Sequence, residues 1–109
     1  MPYNETLAAR VRNSFPEAVD VREMKMFGGL AFLNRGNMAV GILGDRLMVR
    51  VPRDRYEETL KERHVTPMDF TGRPMRGFVC VEGDGIAADE DLRRWVEGGL
   101  DYAGSLPAK

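Results

Sequence analysis

The sequence is poor in the residues that most often build reactive sites. Its 109 residues include one cysteine, Cys80, and one histidine, His64. A metal site needs several His, Cys or carboxylate ligands at workable spacing, and these two residues lie far apart in the chain, so no metal site is predicted. A single cysteine also excludes an internal disulfide and favours a reducing compartment such as the cytoplasm.

Long apolar runs are absent as well. No stretch approaches the roughly 20 residues that a membrane-spanning helix needs. The N-terminus, "MPYNETLAARVRNSF", lacks the basic region and apolar stretch of a secretory signal. We therefore expect a cytoplasmic protein that makes no membrane contact.

Recognisable catalytic and phosphate-binding motifs are missing too. Ser14 and Ser105 fall at a helix end and in the tail, not in a strained nucleophile turn. The run "FGGLAFLNRG" fits no nucleotide-binding pattern, and a strand follows it, so no helix dipole would receive a phosphate. We expect no cofactor, no catalytic residue and no enzymatic activity, with Cys80 packing as a small core residue. A small ligand-binding pocket where Cys80 and His64 converge stays open as an alternative.

What the sequence does contain is a helix at each end and strand-like segments between them. Asn4 is the expected N-cap of a helix over residues 3–15, and apolar spacing predicts helices over 53–63 and from 89–91 onward. Alternation and turn signals predict a four-strand meander over 21–51 and a strand over 78–81, with a loop over 65–77. The order α-β-β-β-β-α-β-α predicts one α+β domain over residues 1–109, an antiparallel meander with helices on one sheet face.

Two pairs of glycines interrupt these elements. Gly28 and Gly29 separate the first two strands, where we expect a sharp turn that needs positive φ or close backbone approach. Gly98 and Gly99 lie inside the last helix, which predicts close contact with a neighbouring element.

The surface residues suggest two kinds of contact. The net charge is −1, but the centre of the chain is moderately basic and the last third is acidic. Arg50, Arg73 and Arg76 are candidates for an anion or partner contact, although pairing with acids of the tail region or capping of carbonyls is the interpretation we favour. Seven methionines either fill the core or form an adaptable binding or dimer face, and Met48 and Met75 are the candidates for that face.

The order of several short motifs resembles the N-terminal domain of the TfoX/Sxy family. The resemblance rests on "KMFGGLAFLNRGNMAVGILGDRLMVRVP", "PMDFTGRPMRGFV" and "WVEGGLDYAGSLP", which together span nearly the whole chain. It implies an α+β fold without catalytic residues. Two-domain members of the family regulate competence together with a transcriptional activator. This sequence stops where their helical C-terminal domain would begin, so it is similar to the stand-alone form.

We therefore expect a non-catalytic regulatory or adaptor domain. It would act through protein–protein contacts, with a protein partner or as a homodimer, and the resemblance links it to transcriptional or competence regulation. Two alternatives remain: a nucleic-acid-associated domain that uses the arginines, and the small ligand-binding domain noted above.

Overall fold

Helices stand at both ends of the chain, as the sequence predicts. The computed structural model describes the backbone of residues 3–16, 20–26, 28–69 and 74–108, and their side chains except at positions 26, 69 and 74–76. The α-helices in these ranges are α1 (Glu5–Asn13), α2 (Tyr56–Thr59) and α3 (Asp89–Ser105). Asn4 caps α1 as expected, because its Oδ1 accepts the Leu7 N–H at 3.0 Å.

The strands form one antiparallel sheet of six members in the order β1-β2-β3-β4-β6-β5. Their bounds are β1 (Val21–Met26), β2 (Gly29–Asn34), β3 (Asn37–Leu43), β4 (Arg46–Arg50), β5 (Val65–Asp69) and β6 (Pro74–Val81). The first four strands form the predicted meander, and β6 then pairs with β4. The α+β class is confirmed, and the element order is confirmed apart from one additional strand.

The additional strand is β5, in a segment whose composition predicts a loop. It pairs with β6 through Val65 opposite Val81 and Thr66 opposite Cys80. Pro67 is tolerated because β5 is an edge strand, where one side of the backbone has no ladder partner. Pairing also extends β6 back to Pro74, well before the predicted start at residue 78.

The second helix is shorter than the sequence predicts. Residues Arg53–Arg55 form a 3-10 turn, α2 continues only to Thr59, and Leu60 ends it. Tyr56 and Thr59 are its buried residues. Tertiary packing supplies most of the stability of a short helix. Because only two residues of α2 pack against the core, little stabilisation is available for a longer helix.

One face of the sheet and all three helices in the described ranges enclose the main core. Alternate strand residues such as Phe32, Val40 and Val49 point toward the helices and are at most 2% exposed. Helix α3 lies closest, because a Cβ at Gly99 would stand 2.6 Å from the Ala39 carbonyl oxygen. The close contact predicted for the Gly98-Gly99 pair is therefore confirmed at Gly99, while Gly98 faces open space.

The tight turn between β2 and β3 packs against the C-terminal end of α3 and forms hydrogen bonds with it. Arg35 and Gly36 have φ values of 56° and 82°, as a two-residue type I′ hairpin requires. Side chains of the turn donate to carbonyl oxygens at the helix end: Asn34 to Leu100 (2.9 Å), Arg35 to Gly104 (3.2 Å), and Asn37 to Ala103 (3.3 Å) and Pro107 (3.0 Å). The Ala103 and Gly104 carbonyls lie in the last turn of α3, where a helix leaves carbonyl oxygens without intrahelical partners, so the "NRGN" turn has a structural role.

Candidate functional site: the outer face of the sheet

The sheet has a second face, opposite the helices, which we call the outer face. Register places one row of residues across all the strands on this face: Met24, Ala31, Gly41, Met48, Cys80 and Thr66. Met48 and Cys80 at its centre are 0% exposed and pack with Met68, which is 1% exposed. The centre of the outer face is therefore a small second core.

Gly41 allows this second core to close. A Cβ at Gly41 would lie 2.6 Å from the Met48 methyl carbon and 3.2 Å from the Met38 methyl carbon. The two methionine side chains therefore converge over the glycine. Flexible thioether side chains are well suited to filling such an irregular space.

Apolar side chains around the second core remain partly open to solvent. Met38, Leu43 and Phe78 pack against it and are half-buried. Met24, on the edge strand β1, is 50% exposed, the only large hydrophobic residue so exposed among the described side chains. The outer face therefore combines a closed centre with an accessible apolar margin.

Arg50 stands at one end of this margin and is held by aromatic rings. Its guanidinium carbon lies 5.4 Å from the ring centroid of Phe78 and 5.9 Å from that of Tyr102. Its Nη1 donates to the Met38 carbonyl oxygen at 3.4 Å. Within the described side chains, no carboxylate lies within 4.0 Å of the guanidinium, so the rings position the charge without neutralising it.

The other candidate contact residues predicted from the sequence divide into two groups. Met48 is fully buried, so in this structure it belongs to the core and has no surface through which to touch a partner. Arg73 lies outside the described residues, and for Met75 and Arg76 only the backbone, in β6, is described. Of the predicted arginine cluster, the structure therefore places only the Arg50 side chain.

The glycines at the β1–β2 connection differ in their roles. Gly28 has φ +75°, with open space where a Cβ would stand. Gly29 lies against β3, and a Cβ there would overlap the Ile42 carbonyl oxygen. Gly28 thus adopts a left-handed backbone conformation, and Gly29 allows the backbones of β2 and β3 to approach closely.

Cys80 and His64 have different surroundings in the structure. Cys80 is buried among methionines, and this burial raises the pKa of its thiol, although the Arg46 charge acts in the opposite direction. His64 is exposed, and its Cβ lies 2.9 Å from where a Cβ at Gly85 would stand. His64 lies in a tight turn immediately before β5, where its φ is 68°. Its carbonyl oxygen accepts a hydrogen bond from the Glu82 N–H at 3.2 Å.

The described residues contain neither a metal-ligating cluster nor a membrane-spanning helix. No cluster of three or more His, Cys, Asp or Glu side chains is placed to hold a metal ion. No helix in the described part of the chain is long and apolar enough to cross a membrane.

Tyr102 is the participant at the outer face that sequence reasoning missed. It comes from α3, on the far side of the sheet, and reaches Arg50 at the sheet's end. Helical periodicity could have indicated the position of Tyr102. It follows Trp95 by seven residues and therefore lies beside the same apolar stripe of α3.

Comparison with known proteins gave one family match. A search of curated proteins found no match, and a search of solved structures found none either. The family model described as the TfoX N-terminal domain matches residues 13–103. This match covers most of the chain and includes the meander, the outer face and all but the last two residues of α3, so the chain belongs to the TfoX N-terminal domain family.

Proposed function

We propose that this domain is a non-catalytic protein-binding module, of the regulatory or adaptor kind that the family resemblance implies. The main support for this proposal is that the helices cover only one of the two faces of the sheet. Helices seal one face, whereas the outer face keeps a partly open apolar margin with Met24 half exposed. Exposed apolar patches with polar surroundings are typical of protein interaction sites.

The composition of this margin suits a binding role. Methionine, aromatic residues and arginine are enriched at protein interfaces, and the outer face carries all three kinds, with Met24 on the edge strand β1 and Arg50 beside Phe78 on β4 and β6. Methionine side chains also adapt to different partner shapes. We propose a protein partner or a second copy of the chain as the ligand, in a role linked to transcriptional or competence regulation.

The test combines light scattering with affinity capture. Size-exclusion chromatography with light scattering, over a range of concentrations, would detect a homodimer, and capture from a bacterial lysate would detect another partner. Met24→Glu should abolish whichever association is found. Lys25→Glu should leave it unchanged, because Lys25 is the next residue on the same edge strand and points to the opposite sheet face. A strict monomer that captures nothing would contradict the proposal.

A second candidate function, nucleic-acid association, is favoured by one observation. Arg50 has no carboxylate within salt-bridge distance among the described side chains and lies beside two aromatic rings. A nucleic-acid complex through Arg50 should weaken steeply as salt is raised. The absence of any mobility shift with DNA or RNA at low salt would rule this candidate out.

A further inference from the structure

Three arginines stand around the apolar margin of the outer face. Arg22 lies on β1 opposite Leu33, Arg46 begins β4 opposite Leu43, and Arg50 ends β4 opposite Phe78. None of the ion pairs found among the described side chains involves these arginines. The outer face is therefore apolar within, and its margin carries three arginines against one nearby carboxylate among the described side chains, Glu82, exposed just past the end of β6.

We propose that the outer face binds an acidic amphipathic segment of another protein. The apolar residues of that segment would cover Met24, Leu33 and Met38, and its carboxylates would meet the arginines. This inference rests on the proposed function and adds the chemistry of the partner.

The arginines are suited to this role by their positions. Arg22 is exposed on the edge strand, and Arg46 and Arg50 are half-buried. The rings of Phe78 and Tyr102 restrict Arg50, so ordering it on binding costs less side-chain entropy than ordering a free arginine. A guanidinium fixed in this way can donate two parallel hydrogen bonds to a carboxylate.

A second copy of the chain is a poor occupant of the same face. Two outer faces packed against each other around a two-fold axis would bring two sets of arginines together. Like charges placed opposite each other disfavour a complex. An acidic segment of another protein is therefore a better occupant of this face than a second copy of the chain.

Single-stranded nucleic acid fits the face less well than an acidic protein segment. Bases bind to protein surfaces by stacking on open aromatic faces. Here the Arg50 guanidinium already lies over Phe78 and Tyr102. The rest of the margin is aliphatic or thioether surface, namely Met24, Leu43 and Met38, which favours an apolar protein side chain.

The test uses defined peptides and methyl NMR. One synthetic helical peptide carries leucines along one side and glutamates elsewhere, and its control has lysines in place of the glutamates. In protein with ¹³C-labelled methionine methyls, the glutamate peptide should shift the Met24 and Met38 signals, while the Gly98 amide on the outside of α3 stays unmoved. The lysine peptide should bind at least about ten-fold more weakly, because its charges repel the arginines.

Charge-reversal variants locate the effect. Arg22→Glu should weaken binding of the glutamate peptide about five-fold, the upper range for one exposed ion pair. Lys25→Glu makes the same charge change on the same strand but on the opposite face, and should change binding less than about two-fold. Both side chains are exposed, so both variants should keep the wild-type amide spectrum.

Several results would overturn the inference. These are equal binding of the two peptides, equal effects of Arg22→Glu and Lys25→Glu, or no binding tighter than about 1 mM. Methyl shifts that follow protein concentration alone would assign the face to a second copy, and salt-sensitive shifts with oligothymidylate would assign it to nucleic acid. If these peptide tests fail while Met24→Glu still abolishes a captured complex, the proposed function stands and only the acidic chemistry is wrong.

Discussion

Gly29 shows how one residue sets the spacing of two strands. It lies so close to β3 that any side chain would meet backbone, which cannot move as a flexible side chain can. Gly29→Ala should therefore destabilise the domain by about 3 kcal/mol. Gly28→Ala is the matched control, and should cost only about 1–2 kcal/mol because it strains φ but meets open space. Urea unfolding measures both, and a larger loss at Gly28 would contradict this difference.

Cys80 is a second residue whose surroundings predict its behaviour. Burial among Met48 and Met68 excludes reagents, and the raised thiol pKa leaves less thiolate at a given pH. We expect an aromatic disulfide reagent to label the native protein very slowly at pH 8 and the urea-unfolded protein rapidly. Rapid labelling without urea would show that the second core opens readily.

The Arg12–Glu23 pair predicts a pH dependence. Two hydrogen bonds of 2.6 and 2.7 Å from Arg12 lower the pKa of Glu23 below its usual 4.5. The pair therefore stabilises the fold above pH 4.5, and this contribution is lost as the pH falls through the lower folded-state pKa. Because both side chains are more than a third exposed, solvent screening limits the effect to about 0.5 kcal/mol. Urea unfolding of wild type and Glu23→Gln should differ at pH 7, and the difference should shrink as the pH falls below 4.5; a constant difference would contradict this.

At the scale of elements, α3 is set against the sheet by its glycines and by the "NRGN" turn. Gly99→Ala should cost about 2 kcal/mol, because the new methyl would press on the Ala39 carbonyl. Gly98→Ala should instead stabilise the protein by about 0.8 kcal/mol, since alanine favours a helix and nothing lies within 4 Å. The sign difference between adjacent positions can be read from urea midpoints, and two losses of equal size would show that the close approach is not decisive.

The elements also show which parts of the fold are readable from sequence. The meander was predictable because alternation and turn residues are local signals, as at Gly44-Asp45. Strand β5 was not, because its pairing with β6 is a tertiary interaction and Pro67 suggests a loop. The length of α2 was not predictable either, because it also depends on tertiary contacts. Only Tyr56 and Thr59 of this helix are buried, so the core stabilises a short helix.

At the scale of the whole molecule, the sequence indicated the ingredients of the outer face but not their arrangement. Alternation in "RLMVRV" showed that Met48 and Arg50 share a face. It could not show that Met48 is covered by Met38 and its neighbours, because that depends on Gly41 in the adjacent strand. The position of Arg50 between Phe78 and Tyr102 likewise depends on how α3 packs across the sheet.

The central claim is that the outer face is where this domain binds another protein, and in-cell photo-crosslinking tests it most directly. A photoreactive phenylalanine derivative placed at position 24 points from the outer face, and the same residue at position 25 points from the other. We expect a discrete protein adduct from position 24 that is absent from position 25 and resists nuclease. No adduct from position 24, or identical adducts from both positions, would contradict the claim.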